Sequence, residues 1–154
     1  MRKTVIGGIA FVLSFILMAC GMNETKIGER SHVEQVNTMD GVTVSAIPEV
    51  YSTEHPKITI ILQNDTTKPC CYDDYPGVGG LEIEQDGNWH QIVPIEAPPR
   101  TEILQTILAG QTLEVELDFA RYGTQIPTGR YRYVFACWYE SANTHYVAAE
   151  FVLE

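Results

Sequence analysis

Three cysteines carry the clearest chemical potential in this chain: the adjacent pair Cys70-Cys71 and the distant Cys137. Such thiols serve as disulfides, metal ligands or redox groups. A reactive thiol needs electropositive surroundings, and Asp73-Asp74 directly after the pair work against that. Zinc is disfavoured. There is no Cys-x-x-Cys and no His-x-x-x-His, and two adjacent cysteines chelate one tetrahedral ion poorly. Calcium through Asp73-Asp74 lacks the spaced series of oxygen ligands that follows in a calcium loop. Nucleophilic and phosphate chemistry is no better served: Gly-x-Ser-x-Gly, His-Glu-x-x-His and a glycine-rich loop before a helix are all missing. His55, His90 and His145 are scattered surface positions. Glu114, Glu116 and Asp118 alternate along one strand face and do not oppose each other across a cleft. No catalytic residue, metal or cofactor is therefore assigned, and the chain reads as a non-enzyme.

The framework that must position these groups is small. At 154 residues the chain has room for one domain. Ten Lys+Arg against 20 Asp+Glu give a net charge of −10, which repels nucleic acid. The 45% hydrophobic content is that of a folded protein.

Arg2 and Lys3 precede the apolar run Val5 to Ala19. A basic start and an apolar stretch shorter than the roughly 20 residues of a membrane span form a signal peptide, residues 1–19. The run ends Leu17-Met18-Ala19-Cys20-Gly21, which resembles the lipobox of bacterial lipoproteins; Met18 is bulkier than usual there. The resemblance implies that Cys20 is acylated on sulfur (a palmitate-type diacyl anchor) and becomes the first mature residue. Two acyl chains anchor stably where one does so marginally. The expected location is the extracytoplasmic face of the cell membrane. Removing residues 1–19 leaves 135 residues with 8 basic and 20 acidic side chains, a net −12. Residues 20–40 have mixed charge and little apolar periodicity. They read as a lipidated Cys followed by a flexible linker of about 25 Å random-coil reach, with His32 solvated.

From Gly41 the dominant period is two. Leu113, Val115, Leu117 and Phe119 alternate with Glu114, Glu116 and Asp118, the pattern of a half-buried strand. Val42–Ala46, Lys57–Gln63, Leu81–Glu84, Trp89–Val93, Gly129–Tyr139 and His145–Leu153 complete about seven strands. Asp86-Gly87 between two of them is a strong hairpin signal. Thr101–Leu108, bounded by Pro98-Pro99 and Gly110, is a short helix or a short strand. Seven strands with turns between them predict an all-β, antiparallel, Greek-key sandwich for residues 41–154.

Ile126-Pro127-Thr128-Gly129-Arg130-Tyr131 resembles the tyrosine corner of such sandwiches, in which a Tyr opening strand F bonds back to upstream backbone. Further short motifs follow in order. They are Gln63-Asn64, Leu81-Glu82, Asp86-Gly87-Asn88-Trp89, Leu108-Ala109-Gly110-Gln111-Thr112, Tyr122-Gly123, Gly129-Arg130-Tyr131-Arg132 and Ala149-Glu150-Phe151. Together, Val42 to Glu154 resembles the immunoglobulin-like domain of many bacterial lipoproteins and cell-surface proteins. The resemblance brings no catalytic residues. The antibody-type Cys pair is missing, because the second strand of the framework has no Cys.

In this framework Cys70-Cys71 lie in the B–C loop and Cys137 near the end of strand F. These loops cluster at one end of a sandwich. A bridge from Cys70 or Cys71 to Cys137, worth about 3–5 kcal/mol by chain entropy, stands beside reduced thiols with a buried Cys137 and a strained Cys70–Cys71 bridge. The same loops carry Tyr72, Asp73, Asp74, Tyr75, Trp138, Tyr139, His145 and Tyr146. They either bind a ligand or seal the end of the sandwich. Arg121, Arg130 and Arg132 read as surface cations, and Trp89 as packing. Two functions follow: a lipid-anchored binding or scaffolding module whose protein or envelope ligand the sequence does not name, and a cysteine-dependent redox or metal-handling lipoprotein.

Overall fold

The computed structural model describes residues 24–52, 57–100, 103–139 and 143–154. The expected signal segment and Cys20 lie outside them. Among the described residues eleven strands form: β1 Lys26–Arg30, β2 Val42–Ile47, β3 Val50–Tyr51, β4 Lys57–Asn64, β5 Cys70–Asp73, β6 Gly80–Gln85, β7 Asn88–Val93, β8 Gln105–Ile107, β9 Thr112–Asp118, β10 Gly129–Trp138 and β11 His145–Leu153. A single turn of 3-10 helix, Phe119–Arg121, follows β9. The seven expected strands are β2, β4, β6, β7, β9, β10 and β11. β8 is the short strand left open at Thr101–Leu108, and β1, β3 and β5 are additions.

Two sheets face each other. One has the order β2-β4-β9; the other runs β1-β7-β6-β10-β11-β3, with β5 paired to β10 and β8 paired to β5. Alternation explains the packing: Ile58, Ile60 and Leu62 of β4 turn inward against Tyr131, Tyr133 and Phe135 of β10 in one continuous core. Tyr131 and Phe151 stack at 5.7 Å with Phe119 edge-on to both. Such aromatic pairs add about 0.5–1.5 kcal/mol each beyond buried area. The Tyr131 hydroxyl donates to the Pro127 carbonyl, so the expected tyrosine corner is present. The β6–β7 hairpin closes through Asp86 and Gly87, both at positive φ, as a two-residue turn requires.

Two expectations change. Residues 24–40 are not a free linker. β1 pairs with the edge of β7, and Val33 and Met39 are buried. Beyond β1 the chain crosses the outer face of the large sheet as a strap, covering Val134 and Ala148 with Val33. Arg132 is not a surface cation. Beneath the strap it meets Glu82 at 2.6 Å, with side chains 3% and 1% exposed. The two alternate positions that a one-sided sheet would leave wet are dry because the strap covers them. His32 stays exposed, as expected, with its ring nitrogen 3.2 Å from the Tyr146 hydroxyl. Arg130 does remain at the surface, bridging Glu84 and Glu150.

Candidate functional site

β10 has one edge to offer and two strands use it. β6 pairs with Tyr131–Val134, and β5 takes over at Ala136–Trp138. Cys70, Cys71, Tyr72 and Asp73 are therefore strand residues and not a loop, which corrects the sequence reading. The chain makes the change between Asp74 and Gly80. Asp73 caps the turn by accepting from the Tyr75 backbone N–H at 2.8 Å, and the Tyr75 carbonyl accepts from Val78 and Gly79. Gly79 is dictated by close approach: a Cβ there would lie 2.4 Å from the Val134 carbonyl oxygen.

This handover opens a cleft of about 420 Å³, within the usual range for a small-ligand site. One wall is Tyr72, Asp73, Asp74, Tyr75 and Trp138; the floor includes Tyr122 and Tyr133. The opposite wall comes from the irregular chain between β7 and β8: Pro94, Pro98, Pro99, Arg100, Ile103 and Leu104, with Arg121 beside it. Arg100 lies over the Tyr75 ring at 5.1 Å, tying the walls together. The Tyr133 hydroxyl donates to Asp74 Oδ2 at 2.8 Å. Burial, reinforced by Asp74, pushes the Tyr133 phenol far above its ordinary value. Burial likewise pushes Tyr122 up to about 12, against a downward pull from Arg121. Both phenols are thus neutral at physiological pH. The cleft presents aromatic faces, the two carboxylates of Asp73 and Asp74, and the two guanidinium groups of Arg100 and Arg121.

Five of the eight expected binding residues thus converge: Tyr72, Asp73, Asp74, Tyr75 and Trp138. The other three do not line the cleft. Tyr139 packs against the core. His145 Nδ1 is 3.3 Å from the Thr38 hydroxyl, and Tyr146 packs beside Val33. The wall of Pro94, Pro98, Pro99, Arg100, Ile103 and Leu104 and the Arg121-Tyr122 pair were missed. Pro98-Pro99 and the exposed Ile103 and Leu104 were the available signal. Glu82 and Arg132 were missed as a buried pair, and Trp89 stacks on Arg132 at 4.6 Å.

Cys70, Cys71 and Cys137 are free and buried. The Cys70 thiol donates toward its neighbour's carbonyl, that of Cys71, at 3.2 Å. A hydrogen bond to Cys70, together with burial, pushes the Cys137 thiol far up. For Cys137 that is the opposite of what a nucleophilic thiol needs, while the same bond draws the Cys70 thiol below its ordinary value. No cluster of three or more His, Cys, Asp or Glu side chains placed to hold a metal ion occurs among the described residues.

A search of curated proteins finds no match. Among solved structures, the chain is similar to a chain in the CsuC–CsuE chaperone–tip adhesion subunit pre-assembly complex from the archaic chaperone-usher Csu pili of Acinetobacter baumannii. Identity is 13% and the TM-score 0.43, covering 72% of this chain and 56% of that one. The chain thus spans just over half the length of that relative. A family model described as bacterial Ig-like domain matches residues 38–152, and the chain belongs to that family.

Proposed function

We propose that this chain is a non-catalytic binding or scaffolding module of the bacterial cell envelope, tied to the membrane by lipid on Cys20 and receiving its ligand in the cleft between β5 and the β7–β8 connection. The observation that carries the reading is the cleft itself. It joins Tyr72, Tyr75 and Trp138 to hydrogen-bonded Asp74, with no Ser, Cys or His among its described lining residues. Aromatic rings with a few fixed polar groups suit recognition. Family membership supports the same class of function. The motif ending in Cys20 supports the anchor. The burial of all three mature cysteines weighs against the redox and metal-handling reading.

The experiment is site-specific photocrosslinking in intact cells. A photoreactive residue at Tyr75 in the cleft should give a discrete adduct. The same residue at Glu114, on the exposed face of β9, should not, and Trp138→Ala should diminish the Tyr75 adduct. Identical adducts from both positions, or none from Tyr75, would reject the cleft as the ligand site.

A further inference from the structure

The connection between β7 and β8 exposes an unusual concentration of large aliphatic side chains. Ile95 is 46%, Ile103 79% and Leu104 59% exposed, all within ten residues. Scattered exposed apolar residues are ordinary, but Ile95 and the Ile103-Leu104 pair border clefts that share Pro98, Pro99 and Arg121, and such a grouping marks a surface that meets something. The place where the chain enters the fold says what that is. The Ile95 backbone N–H donates to the Arg121 carbonyl at 2.8 Å. Two residues on, the Gly123 backbone lies hard against Thr25, and Gln125 bridges to Glu24. The exposed aliphatic group is therefore joined through Arg121–Gln125 to the first residues described. Glu24 is four Cα–Cα steps from Cys20, a reach of about 15 Å at full extension.

We infer that this aliphatic rim docks on the membrane surface, with Ile95, Ile103 and Leu104 entering the headgroup boundary of the bilayer that holds the lipid on Cys20. The proposal rests on the anchor reading given above. β1 cannot act as a long swivel, since it is paired with β7 and continues into the strap over Glu82 and Arg132. Arg100 and Arg121 flank the rim and favour anionic headgroups. Glu96, on the same connection, opposes them, and the aliphatic side chains decide the outcome. The β5 wall, with Asp73, Asp74 and Trp138, is left in water, so a ligand enters the cleft at the membrane surface and not far above it.

The test uses the lipidated full chain in vesicles of phosphatidylethanolamine and phosphatidylglycerol, with or without bromine on the acyl chains. Ile103→Trp places a reporter on the rim. Val50→Trp places one at the other end of the large sheet, where β3 joins the last residues of β11. The native Trp89 and Trp138 contribute equally to both. Bromine quenches a ring that touches the acyl region, and the expected loss of fluorescence is about twofold greater for Ile103→Trp than for Val50→Trp. Equal loss in both overturns the docking while leaving the anchor standing. Absence of acyl mass on Cys20 overturns the anchor and the docking with it.

Discussion

Arg132 Nε donates to Glu82 Oε2 at 2.6 Å in a site from which water is excluded, and Arg132 Nη2 reaches the Val33 carbonyl at 3.0 Å. Ser31 Oγ completes the group by donating to Glu82 Oε1 at 2.5 Å. The strap is therefore held by charge as well as by Val33. Breaking one half of such a pair leaves a buried, uncompensated charge, at about 3–5 kcal/mol. Glu82→Ala should lower the urea midpoint accordingly and raise hydrogen exchange at the amides of residues 31–38. Glu82→Leu with Arg132→Met should recover part of the loss. If Glu82→Ala changes the midpoint no more than a surface substitution, the strap is held by other contacts.

Stability should fall at alkaline pH. Tyr122 is pushed up to about 12 from an ordinary 10.0, mainly by burial. A raised pKa in the folded state gives stability that is complete below the unfolded value and is lost as pH climbs through the folded one. For Tyr122 the window is between 10.0 and about 12, and two pKa units correspond to about 2–3 kcal/mol. Tyr131, Tyr133 and Cys137 shift the same way. Urea midpoints measured at increasing pH should hold steady near neutrality and decline once the unfolded phenols ionise. Tyr122→Phe should make the decline shallower. A midpoint that rises through the same window would contradict this reading.

Gly79→Ala should be far costlier than Gly77→Ala. The first forces a Cβ to within 2.4 Å of the Val134 carbonyl, whereas the second meets nothing within 4 Å. A loss of about 2 kcal/mol or more is expected for Gly79→Ala, against about 1 for the positive φ of Gly77. The comparison is read from thermal or urea midpoints. Equal losses would mean that β5 and β6 do not meet β10 as described.

Asn64, fully buried at the end of β4, donates to the carbonyls of Lys68, Ile107 and Leu108 and accepts from the Thr66 backbone and hydroxyl. It fixes where β8 ends against β4. Asn64→Ala takes a donor from all three carbonyls, although Lys68 keeps the Thr66 hydroxyl and Leu108 the Gln111 N–H, and should cost about 1–3 kcal/mol, visible as a lowered midpoint. A neutral effect would show that water replaces the amide.

The sandwich was legible because its long strands alternate: Leu113–Phe119 and Gly129–Trp138 announce one buried face each. The strap was not. Lys-Ile-Gly-Glu-Arg in β1 offers a single large apolar residue, Ile27, and its pairing with β7 is made by backbone. Glu82 and Arg132 occupy alternate positions that a one-sided sheet leaves wet. Only contact with residues roughly 50 and 100 positions away buries them. Half of the cleft was visible for a similar reason. Tyr72, Tyr75 and Trp138 stand out in the sequence as aromatic residues beside expected turns, whereas Pro98, Pro99, Arg100, Ile103 and Leu104 face them only after β8 has paired with β5.

The claim that places this domain in the envelope is the lipid on Cys20, and the direct measurement is the intact mass of the protein extracted from membranes. The extracted protein should begin at Cys20 and carry at least a diacylglyceryl group, and Cys20→Ala should shift it out of the membrane fraction. A chain that begins elsewhere and has no acyl mass, or a Cys20→Ala protein that is processed normally and stays membrane-bound, would contradict it.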